Sequence, residues 1–338
     1  MERITTIGLD LAKNVFQVHG VDAGRAAPKA ATGGGTGILC GPYTCDGGHE
    51  ACGGAHFWAR ELGRLGHEAR LMPPAYVKPY VKRGKTDAAD AEAICEAVTR
   101  PSMRFVPVKT EAQQAAAVEL KTPDLLVRQR TQTVNALCAH LSEYGIIAAQ
   151  GAARLADLVA VVRDAEDRRL PDLVREVLLE LVGQVEDLEA RIERLDRRTI
   201  RRVRGDETAS RLATIPGVGA ITAAALQGLV PDPRGFRSAR HFAAWLGLTP
   251  RPHSSGGKER LGRISKQGNP TLRRLLVLGA TARLRHARRD PEAASWAARL
   301  LARRPFKVAA VALANKMARI AWALLAKEGC YRMSPASV

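Results

Sequence analysis

Four carboxylates, two glycines around one valine, and a serine followed by a glycine pair are the residues of this 338-residue chain whose types and spacing could do chemistry. Asp10 lies inside the apolar run Thr5-Thr6-Ile7-Gly8-Leu9-Asp10-Leu11, where an unpaired carboxylate is costly and calls for a cation or a donor beside it. Glu50, Asp87 and Asp90 fall on later segments that an α/β arrangement brings to one edge of a sheet, and Asp87 and Asp90, three apart, share a helical face. Hard oxygen ligands from separate elements suit magnesium, which keeps several waters and takes phosphate oxygens alongside one or two carboxylates. The plainer reading of the last pair is helix capping, with Thr86 or Asp87 as the N-cap and Asp90 favourable in the first turn.

The run Leu212-Ala213-Thr214-Ile215-Pro216-Gly217-Val218-Gly219-Ala220-Ile221-Thr222 sets two glycines around one apolar residue between helical segments. This helix-hairpin-helix pattern lets backbone N–H groups near Gly217 and Gly219 approach a phosphate at a helix N-terminus. It touches backbone and carries no base specificity; a glycine turn between packed helices is the simpler alternative. Further on, Pro250-Arg251-Pro252-His253-Ser254-Ser255-Gly256-Gly257-Lys258 runs into Arg260, Arg263, Lys266, Arg273 and Arg274. From Arg251 to Arg304 there are fourteen Lys or Arg against three Asp or Glu, so this stretch is expected to face phosphates. A serine in a glycine loop among cations could be an activated nucleophile, because nearby positive charge stabilises both the alkoxide and a pentacovalent phosphorus transition state. By itself, Ser-Ser-Gly-Gly is also the composition of a flexible turn.

The elements that must position these groups are mixed. Thr5 to Lys13 and Val15 to Val21 read as two strands joined by a tight turn, His56 to Leu65 as a helix, Glu68 to Met72 as a short strand and Asp87 to Val98 as a second helix. From Asp22 to Gly48 the text turns to Gly, Ala and Thr, with no strand alternation beyond a few residues. After a helical stretch from Glu111 to Tyr144, apolar residues at Val174, Leu178, Leu181, Val185, Leu188, Ile192 and Leu195 alternate spacings of four and three. That is the seam of a coiled coil, or of a long amphipathic helix packed on the 111 to 144 helix. The remainder reads as helical, with loops at Pro231 to Gly235 and Thr249 to Gly257.

Composition bounds the rest. A chain that is 46% apolar and 25% charged folds, and its length suggests two domains. A formal net charge of +18 attracts polyanions, so nucleic acid is the expected partner. No stretch of 18 uninterrupted apolar residues and no signal peptide is found, so no membrane association is expected and the protein reads as intracellular. Six cysteines without a CxxC pair read as reduced thiols. Cys45, His49, Cys52 and His56 offer a zinc-like set, but their spacing matches no usual structural site.

Five motifs in order make the chain resemble the IS110/IS1111 family of insertion-sequence transposases. They are Gly8-Leu9-Asp10-Leu11-Ala12-Lys13, Glu50-Ala51-Cys52-Gly53, Lys85-Thr86-Asp87-Ala88-Ala89-Asp90-Ala91, Ile215-Pro216-Gly217-Val218-Gly219, and Ser254-Ser255-Gly256-Gly257 followed by Ile264-Ser265-Lys266-Gln267-Gly268-Asn269. The resemblance implies an α/β RuvC-like (ribonuclease H-type) domain over residues 1–110, whose Asp10, Glu50, Asp87 and Asp90 bind Mg2+. It implies a helical and coiled-coil segment over 111–204 and a mainly α transposase domain over 205–338, with the helix-hairpin-helix and a nucleophilic Ser255, Ser254 being the fallback. The implied partners are element-end and target DNA, a bridge RNA and further copies of the chain in a dimer or tetramer, the two domains building a composite site.

The chain departs from the family pattern between about Gly24 and His49, where the family has strand-forming text for the second and third strands and this sequence has Gly24-Arg25-Ala26-Ala27-Pro28-Lys29 and Thr32-Gly33-Gly34-Gly35-Thr36-Gly37. Two missing strands are expected to loosen the sheet between Asp10 and Glu50. Two other functions therefore stand beside the recombinase: a RuvC-like structure-selective nuclease that uses water, and an inactive copy that only binds nucleic acid.

Overall fold

The computed structural model describes residues 4–11, 16–22, 25–27, 46–82, 84, 86–149, 152–289, 296–327 and 329–331. The chain divides into two compact units, Met1–Glu111 and Ala112–Val338.

The first unit is built on a five-stranded sheet of order β3-β2-β1-β4-β5. Its strands are β1 Ile4–Leu11, β2 Phe16–Asp22, β3 Arg25–Ala27, β4 Asp46–Glu50 and β5 Glu68–Met72. β1 pairs antiparallel with β2 and parallel with β4, which in turn runs parallel to β5. Three helices follow the strands: α1 Ala55–Arg64, the single turn α2 Pro74–Val77, and α3 Asp87–Val98.

The anomalous stretch thus contributes more to the sheet than its text predicts. β3 is only three residues long, but β4 is a full central strand, and residues 28–45 lie outside the described residues. The physical reason β4 escapes an apolar-alternation search is that close packing, and not side-chain burial, selects its residues. Gly48 pairs with Gly8 of β1, and a Cβ on Gly48 would lie 2.7 Å from Val98 Cβ, while one on Gly8 would lie 2.1 Å from the Ala91 carbonyl oxygen. The two glycines form a side-chain-free seat that lets α3 lie directly on the sheet.

In the second unit, α4 Glu111–Ser142, α5 Ala152–Arg163 and α6 Asp172–Arg204 pack around Leu137, Leu141, Leu158, Val162, Leu178 and Val182. Ion pairs of Arg202 with Glu119 at 3.1 Å and of Arg130 with Glu189 at 3.5 Å show α4 and α6 running antiparallel. The seam residues Leu178, Val185 and Leu188 are buried within the chain. Arg175, 8% exposed, donates Nη1 to the carbonyls of Val161 and Val162 at 3.0 Å each, closing the C-terminal end of α5.

The rest of the unit comprises α7 Glu207–Ala213, α8 Ala220–Leu229, α9 Ala239–Trp245, β6 Pro250–Pro252, β7 Leu261–Ile264, α10 Pro270–Arg289, α11 Trp296–Leu301 and α12 Phe306–Lys327. One core joins them, with Leu212, Leu226, Phe242, Leu276 and Met317 at its centre. α12 is long and apolar enough to cross a membrane, yet Ala310, Ala314, Met317 and Ala321 bury one face of it in this core. The stretch Thr249 to Gly257, read from sequence as a loop, is half of a β-ribbon formed by β6 and β7.

Candidate functional site

Side chains alternate along a strand, so Asp10 and Glu50, two residues beyond Gly8 and Gly48, rise from the face of the sheet on which α3 sits. α3 begins at that end. Thr86 caps it, accepting a hydrogen bond from Ala89 N–H at 3.2 Å, and both acidic residues of its first turn are Asp87 and Asp90. Capping and clustering therefore coexist: a carboxylate oxygen from each of Asp10, Asp87 and Asp90 lies within 4.8 Å of the other two. Glu50 stands beside them. Its carboxyl is pushed above the usual carboxylate range by burial first, then by the negative charges of Asp10 and Asp90. Three aspartates this close, beside a glutamate whose ionisation burial, Asp10 and Asp90 oppose, have the donor chemistry of a divalent oxygen-ligand site.

Among the described residues, His49, Cys52 and His56 form no group of possible metal ligands. Cys45 lies outside the described residues, His56 Nδ1 accepts from Lys109 N–H at 3.2 Å, and the one group of possible ligands among the described residues is the aspartate cluster. The four described cysteines, Cys52, Cys95, Cys138 and Cys330, are free thiols. His49 is instead a buried core histidine, 0% exposed, whose Nε2 has no hydrogen-bond partner among the described residues. Burial lowers it from 6.5 to about 4, opposed by a contact with the Glu50 carbonyl and assisted by His56. The unfolded chain therefore takes up this proton first as pH falls. The stability His49 confers is fully present above pH 6.5 and is lost progressively towards about 4, an effect of roughly 3 kcal/mol at 1.36 kcal/mol per pKa unit. Thermal unfolding of the full chain is expected to show a steeper fall in melting temperature from neutral pH to pH 4 in the wild type than in His49→Gln; parallel curves would refute it.

In the second unit, α7 and α8 join through Thr214–Gly219, the stretch whose sequence resembles a helix-hairpin-helix turn. Gly217 has φ 92°, and its carbonyl oxygen would lie 1.9 Å from a Cβ on Gly279 of α10. Gly217 is thus fixed by helix packing. Gly219, the N-cap of α8, is exposed and has open space around it.

The serine loop is a tight hairpin. Ser255 and Lys258 bridge across it, Lys258 N–H donating to the Ser255 carbonyl at 3.1 Å, and Gly256 and Gly257 take φ of 56° and 75°. Two successive positive φ values are those of a type I′ turn, which a Gly-Gly pair favours. Facing residues of a ribbon share one side, so Ser255, Lys258, His253 and Arg260 stand together, with His253 N–H bonded to the Arg260 carbonyl at 2.7 Å. Ser254 and Glu259 belong to the other side. Ser254 Oγ accepts from Arg260 N–H at 3.3 Å, whereas Ser255 Oγ makes no hydrogen bond among the described residues. The His253 ring lies over Gly262, where a Cβ would come within 2.6 Å of it.

Of the expected phosphate contacts, Lys258, Arg260, Arg263 and Lys266 are exposed without a carboxylate partner among the described residues. Arg273 and Arg274 are engaged by other groups of the protein, Arg274 at the surface. Arg273 Nη1 donates to the carbonyls of Leu246 at 3.0 Å and Gln267 at 2.6 Å, and Arg274 pairs with Asp124 of α4.

Clustered carboxylates in one unit and a basic serine hairpin in the other have residue types suited to phosphodiester chemistry, and comparison with known proteins gives the family. Residues 209–295 match the model of the transposase IS116/IS110/IS902 family. A probable family 20 transposase of Pseudomonas aeruginosa is 50% identical over 337 residues, covering 97% of this chain and 99% of that protein. The transposase for insertion sequence element IS1328 of Yersinia enterocolitica is 40% identical, over 95% and 97%. That for IS1111A of Coxiella burnetii is 38% identical, over 98% and 92%. The chain belongs to the IS110/IS1111 family of insertion-sequence transposases, and so acts on DNA.

Proposed function

We propose that this transposase cuts and rejoins DNA with Ser255 as nucleophile and with Mg2+ held by Asp10, Glu50, Asp87 and Asp90 of a RuvC-like domain. The observation that carries the reading is the convergence of Asp10, Asp87 and Asp90 within 4.8 Å, beside a Glu50 whose ionisation is opposed by burial and by the charges of Asp10 and Asp90. The sheet order, with carboxylates on β1, on β4 and on the helix laid across them, supports the domain assignment.

When bound, magnesium neutralises phosphate oxygens and orients the leaving group. The chain's own residues do the rest. Ser255 Oγ loses its proton and forms a bond to phosphorus while the bond from phosphorus to the leaving sugar oxygen breaks, and that oxygen is protonated. Attack by a second sugar hydroxyl then breaks the serine ester and restores a phosphodiester, so the bond energy is conserved without ATP. Lys258 and Arg260, on the Ser255 side of the ribbon, stabilise the negative charge that develops at phosphorus.

Gly219 at the α8 N-terminus and the exposed Lys258, Arg260, Arg263 and Lys266 contact phosphates in this reading. A bridge RNA guides the choice of donor and target, and copies of the chain assemble as a dimer or tetramer. The test is incubation of purified protein, element-end DNA and the element's candidate RNA with Mg2+ or with a chelator. Rejoined strands are expected only with the metal, and equal rejoining under chelation would contradict the proposal.

A further inference from the structure

The last four turns of α6 carry seven arginines and no lysine. Three answer to a carboxylate: Arg191 to Asp187 at 2.6 Å, Arg197 to Glu193 at 2.5 Å and Arg202 to Glu119 at 3.1 Å. The other four, Arg194, Arg198, Arg201 and Arg204, are exposed and have no carboxylate partner among the described residues. At about 100° per residue, Arg194, Arg198 and Arg201 fall in one narrow sector of the helix and Arg204 borders it. The opposite side holds the buried Thr199 and Val203 and the half-buried Asp196, so it faces the protein and the arginines face water.

This arrangement is unfavourable for the helix alone. Arg194 and Arg198 are four apart, and Arg198, Arg201 and Arg204 succeed one another at three, spacings at which like charges repel. The helix dipole rewards cations in the last turn, which accounts for Arg201 and Arg204 but not for Arg194 and Arg198. A polyanion removes the repulsion. The stripe is about 15 Å long at about 1.5 Å per residue, the axial rise of about four phosphates of one strand at about 3.4 Å each. Arginine's planar fork binds phosphate oxygens in pairs, which lysine's ammonium does not.

We propose that this arginine stripe grips the phosphodiester backbone of a nucleic-acid duplex, a contact carried by a different element from the serine hairpin and independent of the nucleophile. The duplex can be DNA or an RNA stem, which present the same chemistry. The test uses the full-length protein with Arg194, Arg198, Arg201 and Arg204 all changed to Gln, a residue of similar helix propensity. Binding to a duplex DNA and to an RNA stem is measured from about 50 to 200 mM salt. The slope of log affinity against log salt is expected to become shallower by about three to four for at least one duplex, and the one affected identifies the source. Arg198→Gln alone, which leaves most of the helix untouched, is expected to shallow it by about one. Arg191→Gln with Arg197→Gln, which removes already paired charges, is expected to change it by less than about one. Unchanged slopes on both duplexes in the quadruple and single variants would overturn the proposal. So would an effect of the paired-residue variant as large as that of the quadruple one.

Discussion

Asp10→Ala is expected to abolish metal-dependent strand transfer, by on the order of 10³-fold or more, while leaving DNA affinity within about twofold. Asp10 sits where β1 brings it to α3, with its carboxylate oxygen within 4.8 Å of those of Asp87 and Asp90. Removing it takes away one ligand and relieves Glu50 of its strongest charged neighbour, so the remaining carboxylates hold a cation less well. Asp90→Ala removes the other charge acting on Glu50 and is expected to have the same effect. Base and phosphate contacts lie elsewhere in this account. A mutant that transfers strands at the wild-type rate would return Asp10 to an ordinary structural role, and a mutant that simply fails to bind DNA would make the cluster a binding surface.

Ser255→Ala is expected to remove both the covalent protein–DNA adduct and all rejoined product, a loss on the order of 10⁴-fold or more for deletion of a nucleophile. The carboxylate cluster and DNA affinity should be unchanged, since Ser255 Oγ makes no hydrogen bond among the described residues. Ser254→Ala is expected to be much milder. Its hydroxyl braces the ribbon by accepting from Arg260 N–H and belongs to the side with Glu259, away from Lys258 and Arg260. Adduct formation by Ser255→Ala but not by Ser254→Ala would invert the assignment.

Much of the first unit was legible because its signals are local. The β5 and α3 boundaries follow from apolar patterning and from Thr86 preceding an acidic first turn. β4 was not, because its centre is glycine: Gly47 and Gly48 are buried by the approach of α3 and of neighbouring strands, and an apolar count sees nothing there. The β6–β7 ribbon escapes a sequence reading although a Gly-Gly pair two residues long is a hairpin signal, because prolines at 250 and 252 read as loop.

At the candidate site, residue type points to the carboxylates and the family resemblance prefers Ser255 to Ser254; what only tertiary geometry adds is that the two serines occupy opposite sides of the ribbon. Charge counting likewise grouped Arg273 and Arg274 with the phosphate contacts. Counting cannot see that Leu246, Gln267 and Asp124 already engage them. The arginines at the end of α6 occupy positions off the apolar seam, and their separation into paired and unpaired sets appears only when the carboxylates around them are placed.

The central claim is the serine ester, and the most direct measurement is mass analysis of the protease-digested protein after reaction with element-end DNA and Mg2+ is quenched. The account predicts a nucleotide attached to Ser255 in the peptide spanning the β6–β7 turn, absent from Asp10→Ala and Ser255→Ala. DNA cut by the wild type with no nucleotide on any serine would contradict it and leave a water-using nuclease.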